Sequence, residues 1–187
     1  MADCKILGTA LRSWEGGFVN DPDDAGGATM RGITLATYTQ YRKLKGRKAP
    51  TVADLKAITD AEWWDCFKTM YWDFWQGDRI KSQAVANICA NWGWGSGPVT
   101  AAKAVQKALG LTADGVVGPQ TLAALNKAHR TYGYRFIFNR IKAERAAQLL
   151  TAAKKGNNAK YLDGWLRKWE GFHYESIALA DGTEMKF

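Results

Sequence analysis

The first apolar stripe of the chain is Ile6, Leu7, Ala10, Leu11 and Trp14, the i, i+1, i+4, i+5, i+8 spacing of one buried helix face. Gly16 and Gly17 follow at once, and glycine is the usual C-terminal cap, so the helix is expected to stop there. A loop then runs to about Ala28, and "ATMRGIT" is expected to form a short strand or hairpin. Thr34 reads as the N-cap of a helix to about Leu44, and "KGRKAP" as a connecting loop. Thr51 opens a short helix with Val52, Leu55 and Ile58 on one side. Thr59 and Glu62 make a Thr-x-x-Glu capping box ahead of "WWDCFKTMYWDFW", whose aromatics are read as core.

Ser82 begins another helix through about Trp92, after which "GWGSGP" is expected to break the chain. Pro98 suits the first position of a helix ending at Gly110, and Pro119 starts the next after the turn-rich "LTADGVVG". Two more helical segments are expected at about 131–155 and 159–170. No sustained alternation predicts a large sheet, so the fold class is mainly α with at most a short β-hairpin. "LRSWEGGF" at 11–18 is echoed by "LRKWEGF" at 166–172. With no long period around it, the echo is read as two similar helix ends that supply two candidate glutamates, Glu15 and Glu170.

Composition narrows the classes. A chain of 187 residues buries roughly 70 % of its unfolded surface and needs no metal or disulfide to fold. No apolar run approaches the length of a membrane span, so no stable membrane insertion is expected. Asp3 and a charged helix pattern stand where a signal peptide needs an apolar core, so synthesis in the cytoplasm without a leader is expected. Three cysteines with no CxxC pair suit reduced thiols. Two histidines, 44 positions apart, disfavour a zinc amidase or peptidase. A Cys–His hydrolase lacks a recognisable context, so neither metal nor cofactor is expected. Charge is uneven: residues 1–95 hold 12 Lys+Arg against 11 Asp+Glu, and residues 96–187 hold 14 against 7. A polyanionic partner therefore belongs to the second half, and an acidic cell wall or anionic surface fits better than nucleic acid, for which no motif is present.

Against this basic background, "WEGGFVNDPDDAGGATMRGIT" gathers Glu15, Asp21, Asp23, Asp24 and Thr29 among glycines. Glu15 falls one turn after Leu11, beside the apolar stripe and at the negative end of the helix dipole. Burial and dipole both favour its protonated form, as a general acid requires. Asp24, on a solvated loop, would stay ionised, and the Thr29 hydroxyl is able to orient a water. That set suits glycosidic cleavage. The competing readings are a polar turn or a loose calcium site; the twelve-residue calcium loop with its terminal Glu is absent. Glu170 lacks an acid–threonine loop and reads as a solvated helix-end charge.

"EGGFVNDPDDAGGATMRGIT" strongly resembles the N-terminal signature of glycoside hydrolase family 108, the N-acetylmuramidases related to phage endolysins, and the acid–threonine arrangement is similar to that of phage-type lysozymes. "AVANICANWGWGSGP" is similar to the family's cleft-lining helix and glycine turn, with Asn91 in the matching place, and "AAKAVQKALGLTADGVVGPQTLAAL" looks like a peptidoglycan-binding segment. The resemblance implies a lysozyme-like catalytic region at 1–95 and a helical peptidoglycan-binding region at 96–187, packed against it. It implies Glu15 as the catalytic acid and cleavage of the β-1,4 bond between N-acetylmuramic acid and N-acetylglucosamine. Asp114, Gly115, Gly118, Pro119 and Thr121 carry the binding-segment likeness and are expected to shape its turn and not to touch glycan. Tyr38, Trp92 and Trp94 offer flat faces for sugar stacking, with buried core as the alternative for each. The expected protein is a monomer that acts on the wall after release by a holin or a dedicated secretion system. The rival from another class is a non-catalytic wall-binding or secretion-assisting module of the same fold.

Overall fold

The computed structural model describes residues 1–20 and 27–187. Helix α1 spans Cys4–Trp14, opened by the Asp3 carboxylate accepting the Lys5 N–H at 2.8 Å. It ends just before Glu15, whose backbone turns extended while its N–H still reaches the Leu11 carbonyl at 3.1 Å. Neither Gly16 nor Gly17 is left-handed, so the expected glycine cap is not what stops the helix. The chain instead enters β1, Phe18–Val19, which pairs antiparallel with β2, Thr29–Met30. A tight turn at Arg31 and Gly32, both at positive φ, joins β2 to β3, Ile33–Thr34, in the mirror-image geometry that favours hairpins.

Thr34 caps α2 (Leu35–Leu44), and Thr51 with Asp54 forms a complete capping box on α3 (Val52–Lys56). On α4 (Asp60–Phe67) only half of the expected box forms. Thr59 accepts the Glu62 N–H, but the Glu62 carboxylate turns to Arg47 at 2.6 Å and the Tyr38 hydroxyl at 3.2 Å. The helix runs on into a π-helical turn at Lys68–Trp72. Trp63, Phe67, Trp72 and Trp75 are fully buried there, as the aromatic run predicts.

Helix α5 (Gln83–Ser96) passes one turn beyond the expected break. Gly93 sits where a Cβ would come within 3.4 Å of Pro98 and the Trp75 indole nitrogen, so this glycine permits close packing inside a helix and does not end it. The stop is Gly97, at φ +82°, followed by Pro98 opening α6 (Pro98–Ala108). Helix α7 is Pro119–Leu125, α8 Gly133–Ala153 and α9 Leu162–Glu170. Buried from Ala84 to Gly93, α5 is the axis against which α1, α6 and α8 pack. A second hairpin, β4 (Ser176–Ala178) with β5 (Glu184–Lys186), docks on the end of α1: the Trp14 indole N–H donates to the Ala178 carbonyl at 2.9 Å.

The architecture is mainly helical and lysozyme-like. The strand content exceeds the single short hairpin expected: a three-stranded sheet and a separate hairpin stand among the described residues. Strands of two or three residues are too short to write an alternating pattern. Burial pushes the Cys66 thiol up to about 12, an inert group with no nucleophilic use near neutral pH.

Candidate active site

A cleft of about 610 Å³ opens between the first 97 residues and helices α8 and α9. Glu15 lies at its wall, placed there by the abrupt end of α1, with its side chain 18 % exposed. Oε1 accepts two hydrogen bonds, from the Trp94 indole N–H at 3.0 Å and from the Lys168 ammonium at 2.6 Å. Oε2 lies against Gly32 and receives no hydrogen bond among the described residues. Gly32 is required twice over. Its φ is +76°, and a Cβ there would stand 2.4 Å from the Trp94 ring and 2.6 Å from the Glu15 carboxyl carbon. The indole of Trp94 is itself clamped by Tyr71, Trp63 and Phe67, with the Tyr71 ring centroid at 4.8 Å. Burial pushes the Tyr71 hydroxyl up to about 12, so this neighbour of Glu15 stays neutral.

Four residues expected at the site come together on this cleft: Glu15, Thr29, Asn91 and Trp94. The Thr29 hydroxyl donates to the Gly27 carbonyl at 3.0 Å, and its register partner Thr34 lines the same wall. Asp24 lies outside the described residues. Two expected stacking residues are elsewhere. Tyr38 is 1 % exposed and its hydroxyl is committed to Glu62, so its face meets protein and not sugar. Trp92 is fully buried, its indole N–H donating to the Gln148 side-chain oxygen at 2.8 Å. The reason for both is that these positions face inward on continuous helices, whereas Trp92 was expected to flank a loop. Glu170 is exposed at the end of α9, as expected for a solvated charge.

The opposite wall was not anticipated. Helix α9 presents Trp165, Lys168 and Trp169 to the cleft, and α8 presents Arg145 and Gln148. The 165, 168, 169 spacing puts the three α9 side chains on one helix face, the one sequence signal that marks them.

Away from the cleft, the turn around Asp114 is held by one buried side chain. The Gln106 amide group donates to Asp114, the Val116 carbonyl and Thr121, while its oxygen accepts the Gly115 N–H at 2.8 Å. These residues shape the turn that starts α7. Among the described residues, no group of three His, Cys, Asp or Glu side chains is placed to hold a metal, and no helix is long and apolar enough to cross a membrane.

Residues 9–97 match the family model described as Glycosyl hydrolase 108, and residues 100–170 match one described as Predicted Peptidoglycan domain. Among solved structures, that of Brucella abortus SagA is similar, with a TM-score of 0.73 and 32 % identity over 90 % of this chain and 91 % of that one. Comparison with proteins of curated function gives no match. A cleft-wall glutamate on a lysozyme-like frame, two adjoining family models and a likeness that runs nearly end to end agree: the chain belongs to the glycosyl hydrolase 108 family, joined to a peptidoglycan domain.

Proposed function

We propose that this glycosidase is an N-acetylmuramidase, cleaving the β-1,4 bond between N-acetylmuramic acid and N-acetylglucosamine, with Glu15 as general acid. The observation that carries the reading is the setting of Glu15. It is the one carboxylate among the described cleft residues, largely withdrawn from water and anchored through Oε1. Oε2 is left to carry the proton and deliver it to the leaving oxygen. Asp24 is the residue proposed to activate or steer the water, and Thr29 to help orient it. Residues 1–95 supply the acid, and residues 96–187 supply the wall-binding surface and the second wall of the cleft. The protein acts as a monomer on peptidoglycan, reached through a holin or a secretion system.

The rival reading, a wall-binding module without turnover, draws on the Lys168–Glu15 ion pair, since a salt-bridged carboxylate is not a ready proton donor. A turbidity and reducing-end assay on purified peptidoglycan separates the two. The intact protein is expected to clear the suspension and generate reducing ends. Glu15→Gln keeps an acceptor for Trp94 and is expected to lose roughly 10²- to 10⁴-fold in rate. Binding without release of fragments by the intact protein supports the module instead. Mass spectrometry of the fragments distinguishes muramidase from glucosaminidase cleavage.

A further inference from the structure

Arg145 is a buried cation, 9 % exposed, on the α8 wall of the cleft. Its partners are neutral. One terminal nitrogen donates to the Ser96 hydroxyl at 2.5 Å and to the Gln148 side-chain oxygen, and the guanidinium lies 5.6 Å from the centre of the Trp92 ring. The other terminal nitrogen rests against Gly95, where a Cβ would come within 3.0 Å. Among the described residues no carboxylate forms a salt bridge with it, although Lys168 on the same cleft has Glu15. Burying a charge without a counter-charge is costly, and a ligand that brings one offsets that cost. The planar guanidinium offers a fork of N–H donors matched to a carboxylate, and only one of its terminal nitrogens is committed.

We propose that Arg145 is the anchor of a carboxylate-binding subsite in the cleft, which seats an acidic group of the peptidoglycan beside the scissile bond. The proposal rests on the reading of the cleft as the glycan site. Lys155, exposed on the same cleft, adds to the positive field; Glu15 is the acid on the facing wall. Peptidoglycan offers the chemistry in two forms: carboxylates of the stem peptides, and the lactyl carboxylate of muramic acid where the peptide has been removed. Burial pulls the Arg145 guanidinium down to about 10, which leaves it cationic at neutral pH.

The test is a binding titration of the full chain carrying Glu15→Gln, followed by intrinsic fluorescence at constant ionic strength. One ligand is soluble glycan strands with intact stem peptides. A second is amidase-stripped strands bearing only the lactyl carboxylate. The third and fourth are the same two preparations with carboxylates converted to carboxamides. At least a tenfold preference for one free-acid form over its carboxamide is expected, and the form that shows it identifies the carboxylate. Arg145→Met should erase that preference, and Arg145→Lys should restore part of it. Equal binding of acid and carboxamide overturns the proposal. So does an Arg145→Met protein that binds all four ligands more weakly by one common factor, which is what a purely structural pin between α8 and α5 would give. The acid-against-carboxamide comparison needs no change at Arg145, so a variant that fails to fold does not blunt it. The preference is read without turnover; a failure of Glu15 as general acid would appear instead as cleaved ligand by mass spectrometry.

Discussion

Up to Gly97 the chain hides its large aromatics: Trp63, Trp72, Trp75 and Trp92 are fully buried, and Lys and Arg nearly balance the acids. Beyond it, Tyr132, Phe136 and Tyr161 stand exposed, and basic residues outnumber acidic ones two to one. The first region buries its aromatics in the core, and Trp63, Phe67 and Tyr71 among them hold Trp94 as a mount for a single carboxylate. The second spends its charge on surface and on the facing wall of the cleft, where Arg145, Lys155 and Lys168 lie. A site divided in this way gains precision from one side and electrostatics from the other, and each contribution can be disturbed separately.

The largest effect is expected from the mount. Gly32→Ala forces a Cβ into the space of Trp94 and the Glu15 carboxyl, at a positive φ that disfavours alanine. A misplacement of this order is expected to cost about a hundredfold in kcat, read by reducing-end release, with the helical circular dichroism retained. Trp94→Phe keeps the ring packing and removes one hydrogen bond to Glu15. Loss of a bond to a charged group should lower kcat about tenfold with KM little changed, and equal activity would show that Lys168 alone suffices as anchor.

In the second region the expected effect is on stability and not on chemistry. Gln106→Leu strands the Gly115 N–H and removes one hydrogen-bond partner each from Asp114, Thr121 and the Val116 carbonyl. It should lower Tm by roughly 5–10 °C at unchanged kcat per folded molecule. A fall in kcat as large as that in Gly32→Ala would mean that the division between mount and cover is wrong.

The smallest effect concerns surface pairs that tie α2 to α4. Lys45, at 2.9 Å, and then the Tyr41 hydroxyl, at 2.7 Å, hold the Asp65 carboxyl below its ordinary value of 3.8. Because the folded value is the lower one, this contribution is present above about pH 4 and is lost as pH falls through the folded value. The Tm difference between the intact protein and Asp65→Asn should therefore shrink on acidification from pH 6 to pH 2.

The helices were legible because their apolar periodicity and their threonine, serine and proline starts are local. So was Glu15, whose place follows from the end of a stripe. Local rules misled where packing overrode them: Gly93 and Gly95 look like breakers but continue α5, and this carries Trp92 inward. Arg145 was invisible, and Lys168 was marked only by the helix face it shares with Trp165 and Trp169, because the significance of both lies in a meeting across the cleft. The echo of "WEGG" in "WEGF" marks a second helix end that reaches the cleft, where Glu170 stays solvated as expected and the cleft takes the lysine two positions before it.

The Glu15–Lys168 contact joins residues 153 positions apart. A ribosome therefore exposes the acid long before it makes the helix that covers it, by an interval on the order of ten seconds at ordinary elongation rates. Until α9 has emerged, the carboxylate lacks its ammonium partner and the cleft lacks the wall made by Trp165 and Trp169. The finished cleft is thus one of the last parts of this molecule to come into being, although its central residue is among the first to be made.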